Sequence, residues 1–240
     1  MVVSGVGLIL LIQIASAEHL RGRIENLEYG VRQLECLTSL TASIQPRAPL
    51  PPVIHNSWAI TPELALVLVR EILARRPGLV VECGSGASTL ICGYALEKAW
   101  GGEGGRLISL EHDPRYWEET CRAIAVHDLA RVVEVVSAPL VEWSIGGQTW
   151  RWYDLERVRN LDRPIDLLFV DGPPGHVQPR SRYPAVPLLR EHLAPDAVII
   201  LDDVNRDDEQ AVLAMWLREL PGAHCERLPL SRPAALLRLS

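Results

Sequence analysis

The chain has 240 residues, enough for one sizeable α/β domain with an appendage. An apolar fraction of 48%, a charged fraction of 22% and a net charge of −6 describe an ordinary soluble composition and give nucleic acid no electrostatic reason to bind. The five cysteines (Cys36, Cys83, Cys92, Cys121 and Cys225) contain no C-x-x-C pair, which argues against a zinc site or a disulfide framework and for a reducing compartment.

Val2 to Ala17 is almost wholly apolar, with Gln13 its only strongly polar side chain. Three readings stand open. Ala15-Ser16-Ala17 imitates a signal-peptide cleavage site, but no basic region precedes it. A membrane anchor through 2–17 falls slightly short of the ~20 residues of a bilayer span. Arg21 and Arg23 just beyond would then keep the following domain on the cytoplasmic face. The third reading is an apolar helix buried against a partner. Leu20, Ile24, Leu27, Val31 and Leu34 follow with the 4-3-4-3 spacing of a coiled-coil seam. A helix this short needs a partner, so 20–40 either pairs with a second copy or packs on its own domain.

Prolines 46, 49, 51 and 52 make a stiff linker, which sets boundaries of 1–45 for the helical segment, 46–57 for the linker and 58–240 for the main domain. Thr61-Pro62-Glu63 reads as a helix start, with Thr61 as the N-cap, and Pro77-Gly78 as its stop. From there strand and helix alternate. Strands are predicted at 79–83, 106–111, 131–136, 165–171, 197–203, 224–230 and 234–239. Helices are predicted at 87–99, 114–127, 183–192 and 207–220. This alternation predicts an α/β fold, a doubly wound, mostly parallel sheet with helices on both faces. Gly146-Gly147, between the alternating apolar residues of 142–153, signals an inserted hairpin.

The strand ends carry the chemistry. Glu82-Cys83-Gly84-Ser85-Gly86 closes the first strand with an acid and a glycine turn through which a ligand can approach the backbone. The third glycine of the dinucleotide fingerprint is missing, and Thr89 stands in its place. Glu111 ends the second strand, where a carboxylate can accept from both ribose hydroxyls of a nucleoside. Asp171 ends the next long apolar strand and Asp202-Asp203 the one after. In open α/β sheets ligands bind outside these carboxyl ends, so the rule gathers all of these acids along one edge.

With these residues in view, the chain resembles the class I S-adenosylmethionine-dependent methyltransferases, over roughly Trp58 to Ser240. E-x-G-x-G-x-S-T at 82–89 and V-D-G-P-P-G at 170–175 are similar to the bacterial methyltransferase-24 domain family. The resemblance implies a Rossmann-like sheet ending in an antiparallel hairpin. It also implies a helix before the first strand that covers the cofactor cleft, with Trp58 nearby. S-adenosylmethionine would lie with its methionine part against Gly84, Ser85, Gly86 and Ser88, its ribose on Glu111 beside His112, and its adenine beside Ala138. Glu82 would orient the loop or the amino group, and Asp171 would close the cofactor site.

Asp171, Asp202 and Asp203 are the right donors for a hard divalent cation such as Mg²⁺. They resemble the place where catechol-type O-methyltransferases hold one, although Asp203 stands where those enzymes have an asparagine. Asp203 would otherwise cap the next helix or pair with Arg206. Asp171 is the first choice of general base and His176 the second. Arg180 and Arg182 would recognise an acidic acceptor, and Trp143, Trp150, Trp152 and Tyr153 would either staple the hairpin or stack on a sugar. The expected activity is methyl transfer to a hydroxyl of a small molecule or glycan in the cytoplasm or at its membrane face. The alternatives are a dinucleotide-binding oxidoreductase and a catalytically silent assembly subunit.

Overall fold

The computed structural model describes residues 5–51, 59–102, 104–158 and 161–240, and within these all side chains except those of 5–13, 15 and 157. Trp58 and the first residues of the apolar segment lie outside the described residues.

A single helix, α1 (Gly5–Ile44), joins the apolar segment to the predicted seam. Leu20, Ile24, Leu27, Val31 and Leu34 all stand exposed along it. Gln33, Leu40 and Ile44, on another face, are buried. At ~100° per residue the two faces lie about 140° apart, so the seam and the contact with the chain's own domain use different sides of one helix. Among the described residues no helix is long and apolar enough to cross a membrane.

The end of α1 is packed into the main domain. Leu40 and Ile44 enter the same apolar layer as α2 (Pro62–Arg75) and α3 (Ala87–Trp100). Gln33 donates to Ser231 Oγ at 3.1 Å. The start of the proline-rich segment is likewise held to the domain. Arg47 pairs with Glu97 at 2.6 Å, donates to the carbonyls of His127 and Asp128 at 2.9 Å each, and lies over the Tyr94 ring.

Helix α2 begins as its sequence requires, with Thr61 Oγ1 accepting from the Leu64 amide at 3.3 Å and Pro62 at the first helical position. The sheet contains β1 (Leu79–Cys83), β2 (Arg106–Glu111), β3 (Val133–Ser137), β6 (Ile165–Val170), β7 (Leu193–Leu201), β8 (His224–Leu228) and β9 (Ala234–Arg238). Their order is β3-β2-β1-β6-β7-β9-β8; the first five run parallel, and β9 is antiparallel to both β7 and β8. The crossover reverses between β1 and β6, and a crevice opens there at the carboxyl ends.

The parallel strands are buried on both faces, with α4 (Pro114–Val126), α5 (Ala185–Leu189) and α6 (Asp207–Glu219) among the covering helices. Along β1, Leu79, Val81 and Cys83 face one apolar layer and Val80 the other. The inserted hairpin, β4 (Leu140–Ile145) and β5 (Gln148–Tyr153), turns at Gly146-Gly147 as predicted, with both glycines at positive φ. Trp150, Trp152 and Tyr153 are buried in the layer that also holds Trp216 of α6. Trp150 and Trp152 therefore serve as core.

Candidate active site

Glu82 is completely buried on β1 and is held by hydroxyls. Its Oε2 accepts from Thr89 Oγ1 and from Ser109 Oγ, each at 2.6 Å. Burial raises its proton affinity, partly offset by hydrogen bonds from Ser109, Ser88 and Thr89, and the pKa is pushed up to about 7. Thr89 also accepts from the Gly86 amide at 2.9 Å. One hydroxyl thus ties the strand-end acid to the turn. This explains the residue that stands where a dinucleotide fold has its third glycine.

In that turn Gly84 adopts φ +96°, a region favouring glycine, and a Cβ there would lie 3.3 Å from the Gly172 nitrogen. Ser85 donates to Glu111 Oε2 through both its amide and its hydroxyl, at 3.0 Å each. The other Glu111 oxygen accepts from the Asp113 amide at 2.8 Å and faces His112 Nδ1 at 3.1 Å. Burial alone would raise the pKa of Glu111. The hydrogen bonds from His112, Asp113 and Ser85 outweigh it and hold the carboxyl below its ordinary range.

These groups surround a cavity of about 300 Å³ at the crevice, lined by Gly84 to Ser88, Glu111 to Asp113, Tyr153, Asp171, Gly172, Pro174 and His176. Of the sequence-predicted residues, Gly84, Ser85, Gly86, Ser88, Glu111, His112, Asp171 and His176 line it. Glu82 lies behind the turn. Ala138 is buried outside the lining, its amide donating to the Glu111 carbonyl at 2.7 Å. Ile60, Arg115 and Tyr116 also line the cavity, and sequence reasoning did not find them there; Tyr153, read as a hairpin staple or a sugar-stacking residue, lines it too. Tyr116 carries a usable signal, an aromatic two residues into the helix that follows the acidic strand end.

A second cavity, about 350 Å³, opens on the other side of Asp171, Pro174 and His176 and is lined further by Gly175, Arg182, Asp203, Arg206 and Arg232. Asp171, Asp202 and Asp203 do converge, with one carboxylate oxygen of each within 4.8 Å of the others. Arg182 stands among them. Its Nη2 lies 3.0 Å from Asp171 Oδ1 and 2.9 Å from Asp203 Oδ2, and its Nη1 donates to the Asp202 carbonyl at 2.9 Å. Arg206 pairs with Asp203 at 3.0 Å, and Arg232 lies 3.3 Å from Asp202 and 3.4 Å from Asp203.

Asp203 sits at φ +62°, which an aspartate tolerates better than most residues. Burial, followed by the neighbouring charge of Asp202, pushes the Asp171 carboxyl well above the usual range. Arg182 is itself buried, its guanidinium held among the aspartates, and it forms part of the lining of the second cavity. Arg180 lies over the Trp150 ring.

A parallel sheet with a glycine turn, a ribose-competent acid and a cavity at its reversal point defines a nucleoside-binding α/β enzyme of the class I methyltransferase type. The family model described as "Methyltransferase domain" matches residues 81–204, just over half of the chain. The chain belongs to this methyltransferase family. No curated protein matches it significantly.

Solved structures resemble the fold. The O-methyltransferase from Bacillus cereus in complex with SAH is 17% identical, covers 87% of this chain and 90% of its own, and superposes with a TM-score of 0.60. The SAH-bound Podospora anserina methyltransferase is 16% identical over 85% and 88%, with a TM-score of 0.58. The Streptomyces achromogenes O-methyltransferase of tomaymycin synthesis, in complex with SAM, is 18% identical over 86% and 90%, with a TM-score of 0.56.

Proposed function

We propose that the chain transfers a methyl group from S-adenosylmethionine to a hydroxyl oxygen of a small-molecule or glycan acceptor. One observation carries the reading: the cofactor-sized cavity and the second cavity share the wall made by Asp171, Pro174 and His176. A methyl donor on one side and an acceptor on the other would meet at that wall. The O-methyltransferase descriptions of the Bacillus and Streptomyces structures support oxygen as the acceptor atom.

S-adenosylmethionine supplies an electrophilic methyl on a sulfonium. As the new O–CH₃ bond forms, the S–CH₃ bond breaks and the hydroxyl proton passes to a base. Asp171 is that base in this reading, with His176, exposed in the same wall, as the alternative. Glu111 and the amides of the 84–86 turn hold the nucleoside and the methionine part, Ser88 and His112 flank them, and Glu82 with Thr89 fixes the turn's shape. The cleft belongs to residues 58–240, with 1–45 as its helical extension.

Isothermal titration of the full chain with S-adenosylhomocysteine tests this directly. Binding in the micromolar range is expected. A folded protein that takes up none would overturn the proposal.

The partner at α1, in the same reading, is a second copy. The exposed seam has Arg23 and Glu28 flanking it at positions that face each other across a parallel pair, giving two opposite-charge contacts per dimer. Sedimentation should show a dimer that becomes a monomer in Leu27→Asp. A wild-type monomer at every concentration would sink this partner.

A further inference from the structure

We infer that Arg182 is a built-in cation that takes the place of a divalent metal at the ends of β6 and β7, and that it positions Asp171 for metal-free methyl transfer. The catalytic half of this statement rests on the function proposed above; the exclusion of metal does not.

Three carboxylates at adjacent strand ends are the donor set a hard cation would use. Such a cation has to bridge oxygens of different aspartates. Nη2 of Arg182 already does so, at 3.0 Å from Asp171 and 2.9 Å from Asp203. A Mg²⁺ ion bridging the same oxygens at its usual ~2.1 Å would have to lie against that guanidinium, cation beside cation. The guanidinium cannot simply swing away. Its side chain is 3% exposed, Nη1 is bonded to the Asp202 carbonyl, and Nε faces Glu209 at 3.6 Å.

The oxygens of Asp202 and Asp203 that Arg182 does not hold lie close to other groups. Asp202 Oδ1 accepts from the Asp203 amide at 2.7 Å, and Asp202 Oδ2 and Asp203 Oδ1 face Arg232. The charges agree with this geometry. Arg182, Arg206 and Arg232 already face Asp171, Asp202, Asp203 and Glu209, so each carboxylate has a cationic partner without a metal. The planar fork of arginine suits the task, because one group can hold two carboxylates and a carbonyl in fixed directions. Asp171 Oδ1 is thereby anchored, and its carboxyl stays in the wall between the two cavities.

The test is Mn²⁺ binding, read from the loss of the free-ion electron paramagnetic resonance signal, in the full-length protein and in Arg182→Met. The wild type should leave millimolar Mn²⁺ free. The variant, with three carboxylates and no guanidinium, should bind about one ion per chain at least about tenfold more tightly. A purely structural arginine would not produce that gain. Wild-type binding of one Mn²⁺ that disappears in Asp203→Asn would overturn the inference, as would a folded Arg182→Met no tighter than wild type. If Arg182→Met does not fold, the wild-type and Asp203→Asn titrations decide alone. S-adenosylhomocysteine titration in EDTA, run in parallel, tests the proposed function separately: its failure would remove the methyl-transfer reading and leave the metal result standing.

Discussion

Glu111, at the end of β2, holds Ser85, in the turn after β1, through one carboxylate oxygen that accepts from both the amide and the hydroxyl of the serine. The acid expected to meet the ribose is therefore also the brace of the loop expected to meet the methionine part. In Glu111→Ala both functions go at once. The affinity for S-adenosylhomocysteine should fall by about 100-fold, the scale of losing charged hydrogen bonds, while the thermal midpoint moves by a few degrees at most. Titration calorimetry beside a melting curve checks this, and unchanged affinity would remove the ribose assignment.

Glu82 gives the protein a pH dependence of known sign. Its folded pKa of about 7 lies above that of an exposed glutamate, so the folded state holds the proton more tightly than the unfolded chain. The stability this confers is fully present below about pH 4.5 and is lost as pH rises toward 7, on the order of 3 kcal/mol across the window. Glu82→Gln keeps the shape without the titration. Its stability from urea unfolding should change less between pH 5 and pH 8 than that of the wild type. Parallel curves for the two proteins would count against a buried, titrating Glu82.

Gly172 has no room for a side chain. A Cβ there would strike the Tyr153 hydroxyl and stand 3.2 Å from both the Cys83 carbonyl and the Gly84 Cα. Backbone and a fully buried tyrosine cannot yield cheaply. Gly172→Ala should cost about 1–3 kcal/mol, the usual range for overpacking. It should also weaken S-adenosylhomocysteine binding, because the displaced atoms belong to the glycine turn. A variant as stable as wild type would show that the hairpin can move away.

Leu40 tests where the domain begins. It is completely buried in the layer beneath α2 and α3, although it precedes the proline-rich segment. Leu40→Ala should destabilise the whole protein by about 2–5 kcal/mol in one cooperative transition. A separate early transition, with the main one unmoved, would show instead that α1 unfolds by itself.

The sheet was legible in the sequence to within a few residues, because runs such as 79–83 and 106–111 are mostly apolar and carry an acid at or next to their carboxyl end. Parallel strands buried on both faces leave that signature. Crevice residues at those same ends, Gly84, Ser85, Glu111 and Asp171, followed from one rule of topology. What stayed hidden depended on contacts between distant residues. Nothing in the order Arg180-Ser181-Arg182 tells which arginine stacks on Trp150 and which is buried among three aspartates. That Asp171, Asp202 and Asp203 share their space with a guanidinium was equally hidden, because a count of acids carries no information about a cation that arrives from a loop between them. The hairpin aromatics were ambiguous for the same reason: burial of Trp152 and Tyr153 depends on the layer they meet.

Among the described side chains of α1, the fully buried ones begin at Gln33, and residues 5–32 precede them as helix. At 1.5 Å per residue that stretch is about 40 Å long. Pairing of two copies through the exposed seam would use that stretch and leave the buried face of the helix to each chain's own domain.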